Sequence, residues 1–143
     1  MNDLALKLTQ QVDAAPERVF DAWLNPAMIR RFMLTGPGTR VAKAEADPRV
    51  GGRYDIVMTN DMGEVPHWGE YREIDRPRRL VFTWNSPHAS EDSLVTLTFE
   101  PENSGTLVTL VHEKFPSEGS RDGHSKGWTG ILTTLADVMA GKG

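Results

Sequence analysis

Two histidines stand where their side chains could take part in chemistry. His112 shares strand parity with Val108 and Leu110, which are predicted to face inward, and His124 lies on the same helical stripe as Trp128. A histidine on an apolar face can orient a polar ligand or serve as a general acid or base. It can equally be a core histidine that is hydrogen bonded to a carbonyl or carboxylate. For His112 both interpretations stay open on the sequence.

The same two histidines could bind zinc if Glu113 or Glu70 joined them. No pair of histidines has the four-residue spacing that would place both rings on one face of a helix. We therefore expect no metal. His67 and His88 lie in polar, turn-rich surroundings and are predicted to be surface groups.

Other kinds of catalytic or binding motif are missing from the sequence. The chain has no cysteine, which excludes disulfides, thiolate nucleophiles and cysteine metal sites. It has no nucleophile elbow, no phosphate-binding glycine loop and no dinucleotide-binding fingerprint. We expect no cofactor, assign no catalytic residue and leave enzymatic activity open. The 143 residues carry a net charge of −4, which argues against a nucleic-acid surface because phosphate binding needs a clustered basic excess.

The chain contains four tryptophans, which either fill the core or line a cavity. Ligand pockets are concave and mostly apolar, with a few polar groups that fix the orientation of the ligand. The predicted ligand-binding residues are Trp23, Phe32, Tyr54, Trp84, His112 and Trp128. The aromatic rings would supply area and shape, and His112 would supply one polar anchor. Trp68 has the opposite strand parity to Tyr71, so its direction stays open.

Two glycines, Gly127 and Gly130, lie inside the predicted C-terminal helix. Each costs about 1 kcal/mol relative to alanine at such a position. One interpretation is that the missing side chains leave room for a ligand beside Trp128. The other is close packing of the helix against the sheet.

The hydrophobic pattern predicts the elements that position these residues. Residues 4–12 alternate as a half-buried strand, and two short helices follow, one from Pro16 and one over residues 27–33. About six strands then run to Lys114, joined by short turns and by a polar loop over residues 85–92. Strands with such connections are typical of an antiparallel sheet.

The C-terminal part of the chain predicts one long amphipathic helix. Ser120 is the predicted N-cap, and the helix ends at Gly141. Its apolar stripe runs through His124, Trp128, Ile131, Leu135 and Val138. A curved sheet must bury one face, and this helix is the only predicted element large enough to cover it.

Six segments, taken together and in order, carry a family resemblance. They are residues 15–23, 51–54, 69–84, 95–100, 105–112 and 127–128. This ordered set resembles the START-like or SRPBCC superfamily, and more narrowly its branch related to the C-terminal domain of the heat-shock-protein-90 ATPase activator. The resemblance covers nearly the whole chain.

The resemblance implies an α+β helix-grip fold in a single domain over residues 1–143. In that fold a curved antiparallel sheet of six to seven strands wraps around a long C-terminal helix, and two short helices follow the first strand. It also implies an internal cavity between the helix and the sheet. Members of the superfamily bind lipids, sterols, plant hormones or polyketides, and a minority catalyse cyclisation or aromatisation. We therefore expect a small apolar or amphipathic ligand.

Two other functions stay open on the sequence. One is a chaperone-cofactor-like module of the stress response that binds a protein partner, as the resemblance to the activator implies. The other is a cyclase-like or aromatase-like or hydrolytic enzyme, which would need His112 or His124 to face a solvent-reachable cavity beside a carboxylate. A homodimer is also open.

The location of the protein is predicted from what its sequence lacks. The N-terminus lacks the basic and apolar regions of a signal peptide. No apolar run approaches the roughly 20 residues that a membrane helix needs. We expect a cytoplasmic protein without a membrane span.

Overall fold

A seven-stranded antiparallel sheet forms the framework of the computed structural model, which describes residues 4–36, 38–87 and 89–141, without the side chains of residues 89–91. The strands are β1 (Ala5–Val12), β2 (Arg40–Ala46), β3 (Arg53–Asn60), β4 (Gly63–Asp75), β5 (Arg79–Ser86), β6 (Ala89–Glu102) and β7 (Gly105–Glu113). They lie in the order β1-β7-β6-β5-β4-β3-β2, so β1 and β2 form the two edges. The sheet confirms the predicted α+β helix-grip class.

Alternating side chains give the sheet one buried face. On β3, Tyr54, Ile56 and Met58 are buried, whereas the residues between them are partly exposed. On β7, Leu110 and His112 continue the same inner face. Because successive side chains of a strand point to opposite faces, this alternation directs the core to one side of the sheet.

Two short helices, α1 (Pro16–Ala22) and α2 (Pro26–Phe32), follow β1 as predicted. Each begins with a proline in its first turn, where the missing N–H would have no partner in any case. Asn25 caps α2, since its side-chain oxygen accepts the N–H of Ala27 at 2.9 Å. Their buried faces place α1 against β6 and β7, and α2 against β2.

The long helix α3 (Glu118–Met139) covers the inner face and packs against β1 and α2. The prediction of Ser120 as its N-cap is wrong. Ser117 is the N-cap, with extended backbone and a side-chain oxygen that accepts the N–H of Ser120 at 3.1 Å. The helix therefore begins earlier than predicted, and Ser120 lies inside its first turn.

The polar loop predicted over residues 85–92 is also wrong. β5 continues to Ser86 and β6 begins at Ala89. Asn85 holds the two strands together beyond the apolar stretch, because its amide donates to Asp92 Oδ1 at 3.0 Å and its oxygen accepts the N–H of Asp92 at 2.8 Å. His88, predicted to be a surface group, lies outside the described residues.

In the described part of the chain, no helix has both the length and the apolar character that a membrane crossing requires.

Candidate ligand-binding cleft

A cleft of about 600 Å³ opens between the first half of α3 and the inner face of the sheet. The sheet contributes Met58, His67 and Trp84 to its wall, and the segment after α2 contributes Thr35. The apolar side chains that the sheet contributes come from β3 and β5, and His67 comes from β4, which lies between them.

The helix side of the cleft is formed by one face of α3. Its first turn contributes Ser117, Gly119 and Ser120. Further along, the lining residues are Gly123, His124, Gly127, Trp128 and Ile131. Positions three and four apart lie on the same helical face, so this face combines glycines, hydroxyl groups, one imidazole and one indole.

The two glycines singled out in the sequence turn out to differ. A Cβ added at Gly127 would meet the Thr35 methyl group at 3.4 Å, which is ordinary contact at the cleft wall. A Cβ added at Gly130 would lie 2.1 Å from the carbonyl oxygen of Thr35. Gly130 therefore serves close packing, whereas Gly127 belongs to the cleft. Gly123, which the sequence did not single out, has nothing within 4 Å of an added Cβ.

Aromatic rings form a continuous inner layer behind the cleft. The ring centres of Trp84 and Trp128 lie 4.7 Å apart, and those of Trp23 and Trp128 lie 6.3 Å apart. His67 stacks at a shallow angle on Trp84, with 4.8 Å between the ring centres. All three indoles are almost completely buried.

Of the six predicted ligand-binding residues, Trp84 and Trp128 line the cleft. Trp23 and Tyr54 lie deeper and border, together with Trp84, a void of about 10 Å³ that offers at most the space of one water molecule. Phe32 is fully buried against Trp23, with 4.9 Å between ring centres. These rings support the cleft from behind.

His112, predicted as the polar anchor, lies outside the cleft wall and is fully buried. Its Nδ1 accepts the indole N–H of Trp128 at 2.9 Å. Its Nε2 lies 2.8 Å from Ser93 Oγ, and that hydroxyl donates to the carbonyl oxygen of Trp84. Both ring nitrogens are therefore occupied by protein groups, which gives His112 a different task from the one predicted.

The hydrogen bonds of His112 also define its protonation. An indole N–H can only donate, so Nδ1 carries a lone pair and the proton of the neutral ring is on Nε2. Burial, and to a smaller extent the neighbouring His124, lowers the pKa of His112 from 6.5 to about 2. The ring is thus neutral over the physiological pH range.

His124 lies near His112, as the sequence suggested, with 5.2 Å between the ring centres and the planes nearly perpendicular. Its Nδ1 lies 2.7 Å from the carbonyl oxygen of Ser120 and donates to it. His67 was predicted to be a surface group, and this is wrong. It pairs with Ile56 across β3 and β4, shares the inner face and is 8% exposed.

Trp68 points the other way, towards the outer face of the sheet, and is 42% exposed. It lies opposite Asp55 and lines a second groove of about 710 Å³, whose walls also include the charged side chains of Arg53, Glu70 and Arg72. Within the described ranges, no three histidine or carboxylate side chains are close enough together to hold a metal ion.

Comparison with known proteins agrees with this architecture. The family model described as Activator of Hsp90 ATPase homolog 1-like protein matches residues 13–140. No curated protein matches the chain.

Solved structures from several bacteria are similar over nearly their whole length. A protein of Chromobacterium violaceum is 26% identical with a TM-score of 0.86, over 94% of this chain and 96% of that chain. The AHSA1 protein of Silicibacter pomeroyi is 26% identical with a TM-score of 0.80, over 98% and 100%. An AHSA1-like protein of Aeromonas hydrophila, 23% identical with a TM-score of 0.81 over 98% and 96%, shares the fold.

The matched segment includes α1, α2, the strands β2 to β7 and all of α3, and therefore every residue of the cleft wall. The resemblance inferred from the sequence is confirmed: this chain belongs to the family of Activator of Hsp90 ATPase homolog 1-like proteins, with the helix-grip fold.

Proposed function

We propose that this protein binds a small apolar or amphipathic molecule in the cleft between α3 and the sheet. The observation that carries the proposal is the cleft of about 600 Å³ whose deep wall contains the indoles of Trp84 and Trp128. This volume lies within the range of about 300–1,000 Å³ that is typical of small-molecule sites. The helix leaves the space open by placing glycines at positions 119, 123 and 127.

The wall suggests how such a ligand would lie. Met58, Trp84, Trp128 and Ile131 form the deep apolar end of the cleft, where each exposes only a small part of its surface. Burial of the ligand's own apolar area against them would favour binding at about 25 cal/mol per Å². The hydroxyl groups of the first helical turn and the imidazole of His124 offer polar contacts at the other end of the helical face. The described lining contains no Asp, Glu, Lys or Arg, so it favours a ligand without a strong charge.

The other two functions considered from the sequence receive less support. An interaction module would be favoured by a contiguous exposed apolar patch. Among the described residues, the exposed large apolar side chains are Val50 before β3, Met62 after β3 and Trp68 opposite Asp55, and they are separated along the sheet. An enzyme of the kind considered would need a carboxylate beside a cleft histidine. No carboxylate contributes to the described lining around His124 and His67.

Titration with N-phenyl-1-naphthylamine, an uncharged fluorophore that brightens in apolar surroundings, tests the proposal. We expect the wild type to bind the probe saturably and the variants Trp84→Ala and Trp128→Ala to lose saturable binding, because each removes an indole from the cleft wall. Trp68→Ala is the matched control, since it removes the same side chain from the outer face of the sheet.

Circular dichroism establishes that each variant is folded. Trp84→Phe and Trp128→Phe, which keep an aromatic ring and should bind the probe more weakly than the wild type but with a measurable Kd, replace any alanine variant that is not. The proposal is contradicted if the wild type does not bind the probe. It is also contradicted if both cleft variants bind as well as the wild type, or if Trp68→Ala loses binding to the same extent.

A further inference from the structure

We infer that His112 and Ser93 are positioning residues for ligand binding: they hold the indole of Trp128 in the orientation that forms the cleft wall. The inference rests on the proposed function and assigns part of it to two residues that do not line the cleft. It follows from a buried chain of hydrogen bonds that connects the helix to three strands of the sheet.

The hydrogen bonds run in one direction, from the helix to the sheet. Trp128, on α3, donates to Nδ1 of His112 on β7 at 2.9 Å. With Nδ1 occupied as an acceptor, the neutral ring carries its proton on Nε2 and donates to Ser93 on β6, 2.8 Å away. The hydroxyl of Ser93 then donates to the backbone carbonyl of Trp84 on β5. Every donor in the chain is thereby matched with an acceptor.

This chain of hydrogen bonds joins the two walls of the cleft. Its first residue supplies the indole on the helix side, and its last supplies the indole on the sheet side, with 4.7 Å between the two ring centres. Hydrophobic contact is non-directional, whereas a hydrogen bond prefers one donor angle. These hydrogen bonds therefore fix the orientation of the Trp128 indole, whereas packing against Trp84 alone would allow the ring to rotate.

The other buried indoles near the cleft provide an internal comparison. Among the described residues, the ring N–H groups of Trp23 and Trp84 are buried without a hydrogen-bond partner, whereas that of Trp128 has one. Trp128 is also the indole that α3 contributes to the cleft wall, on the face that carries His124 one turn before it and Ile131 one turn after it. The hydrogen bond to His112 therefore ties this helical indole directly to the sheet.

A double-mutant cycle on binding of N-phenyl-1-naphthylamine tests this role. We expect His112→Leu to weaken binding by roughly fivefold in the wild-type background, the size typical of one lost hydrogen bond. In the Trp128→Phe background, which has no indole N–H, we expect His112→Leu to have no further effect on Kd. His112→Asn, whose side-chain oxygen can replace Nδ1 as an acceptor, should restore most of the affinity.

Equal weakening by His112→Leu in both backgrounds, or no rescue by His112→Asn, would contradict the inference, because a general loss of stability acts without reference to the indole. If the wild type binds the probe and His112→Leu leaves Kd unchanged, the positioning role is wrong and the proposed function stands. If the wild type does not bind, the proposed function itself fails, and the inference fails with it.

NMR of the wild type gives a readout that needs no variant. We expect scalar coupling across the hydrogen bond between Trp128 Nε1 and His112 Nδ1, and nitrogen shifts of His112 that identify the Nε2–H tautomer at neutral pH. Ser93→Ala, which is small and conservative, should shift the Trp128 indole resonance and weaken probe binding by roughly twofold. Absence of the coupling, or the opposite tautomer, overturns the inference.

Discussion

The two halves of α3 differ in what they place against the sheet. From Gly130 to Met139 the helix buries five apolar side chains, of which only Ile131 also lines the cleft, and Gly130 packs closely against Thr35. From Glu118 to Trp128 the same helix contains three glycines and has a cleft beneath it. One continuous element therefore carries both the stability of the fold and its candidate binding site. The two properties separate along the helix axis.

The difference begins with residue choice at helical spacing. Gly119, Gly123 and Gly127 recur every four residues, on the face that later carries Ile131 and Leu135. A glycine in a helix interior lowers stability, so three of them on the inward face are a cost that the packed half must offset. If the two halves serve packing and binding separately, a substitution in the packed half should change the free energy of unfolding and leave ligand affinity unaltered.

The largest expected effect lies in the packed half. Leu135 is fully buried, and Leu135→Ala should lower the free energy of unfolding by about 3 kcal/mol through lost burial and a residual cavity. Urea denaturation measures this change. Binding of N-phenyl-1-naphthylamine at low temperature, where the variant remains folded, should be unaltered. A large loss of affinity in folded Leu135→Ala would show that the two halves are not separate.

The next largest effect concerns His112, which holds Trp128 in the open half of α3, and the dependence of stability on pH. The pKa of His112 is lowered from 6.5 to about 2 in the folded protein, so the unfolded chain takes up a proton on this residue at a higher pH than the folded protein does. Its contribution to stability is complete above pH 6.5 and is lost as pH falls towards the folded pKa.

Between pH 6.5 and about pH 5 the loss should reach about 2 kcal/mol, at about 1.4 kcal/mol per pH unit. Urea denaturation of the wild type and of His112→Asn over this range isolates the contribution, because the other titrating groups are common to both proteins. Parallel pH profiles of the two proteins would contradict the assignment of a buried, neutral His112.

The smallest effects compare two glycines of α3. Gly130→Ala should lower stability by about 1–2 kcal/mol, because its Cβ would overlap the backbone of Thr35. Gly123→Ala should raise stability by about 1 kcal/mol, since its Cβ meets open space and alanine is the better helix former. Thermal unfolding measures both. Changes of the same sign would show that the helix is not divided between packing and open space.

Much of the fold could be predicted because it follows from local patterns. Strand alternation and the apolar stripe of α3 define which faces are buried, and proline at the first turn identifies the starts of α1 and α2. The residues at which the helices and strands begin and end were harder to predict. The Ser117 cap and the Asn85–Asp92 pairing depend on individual side-chain hydrogen bonds, which leave no periodic signal.

Prediction of the site was more limited, since it depends on distances between elements. Trp84 and Trp128 could be found because each lies on an apolar face, and the structure places both in the cleft wall. His67 could have been recognised by its shared parity with Tyr71, a signal outweighed by its polar neighbours. The partners of His112 come from β6 and α3, and no sequence spacing defines how those elements approach.

The most direct test of the account is chemical-shift mapping of N-phenyl-1-naphthylamine binding by heteronuclear NMR. We expect perturbations of the backbone amides of residues 117–128 and of the indole resonances of Trp84 and Trp128. The amides of residues 132–139 and the Trp68 indole should stay unchanged. Perturbations centred on the outer face around Trp68, or spread evenly along α3, would contradict a ligand site in the open half of the helix.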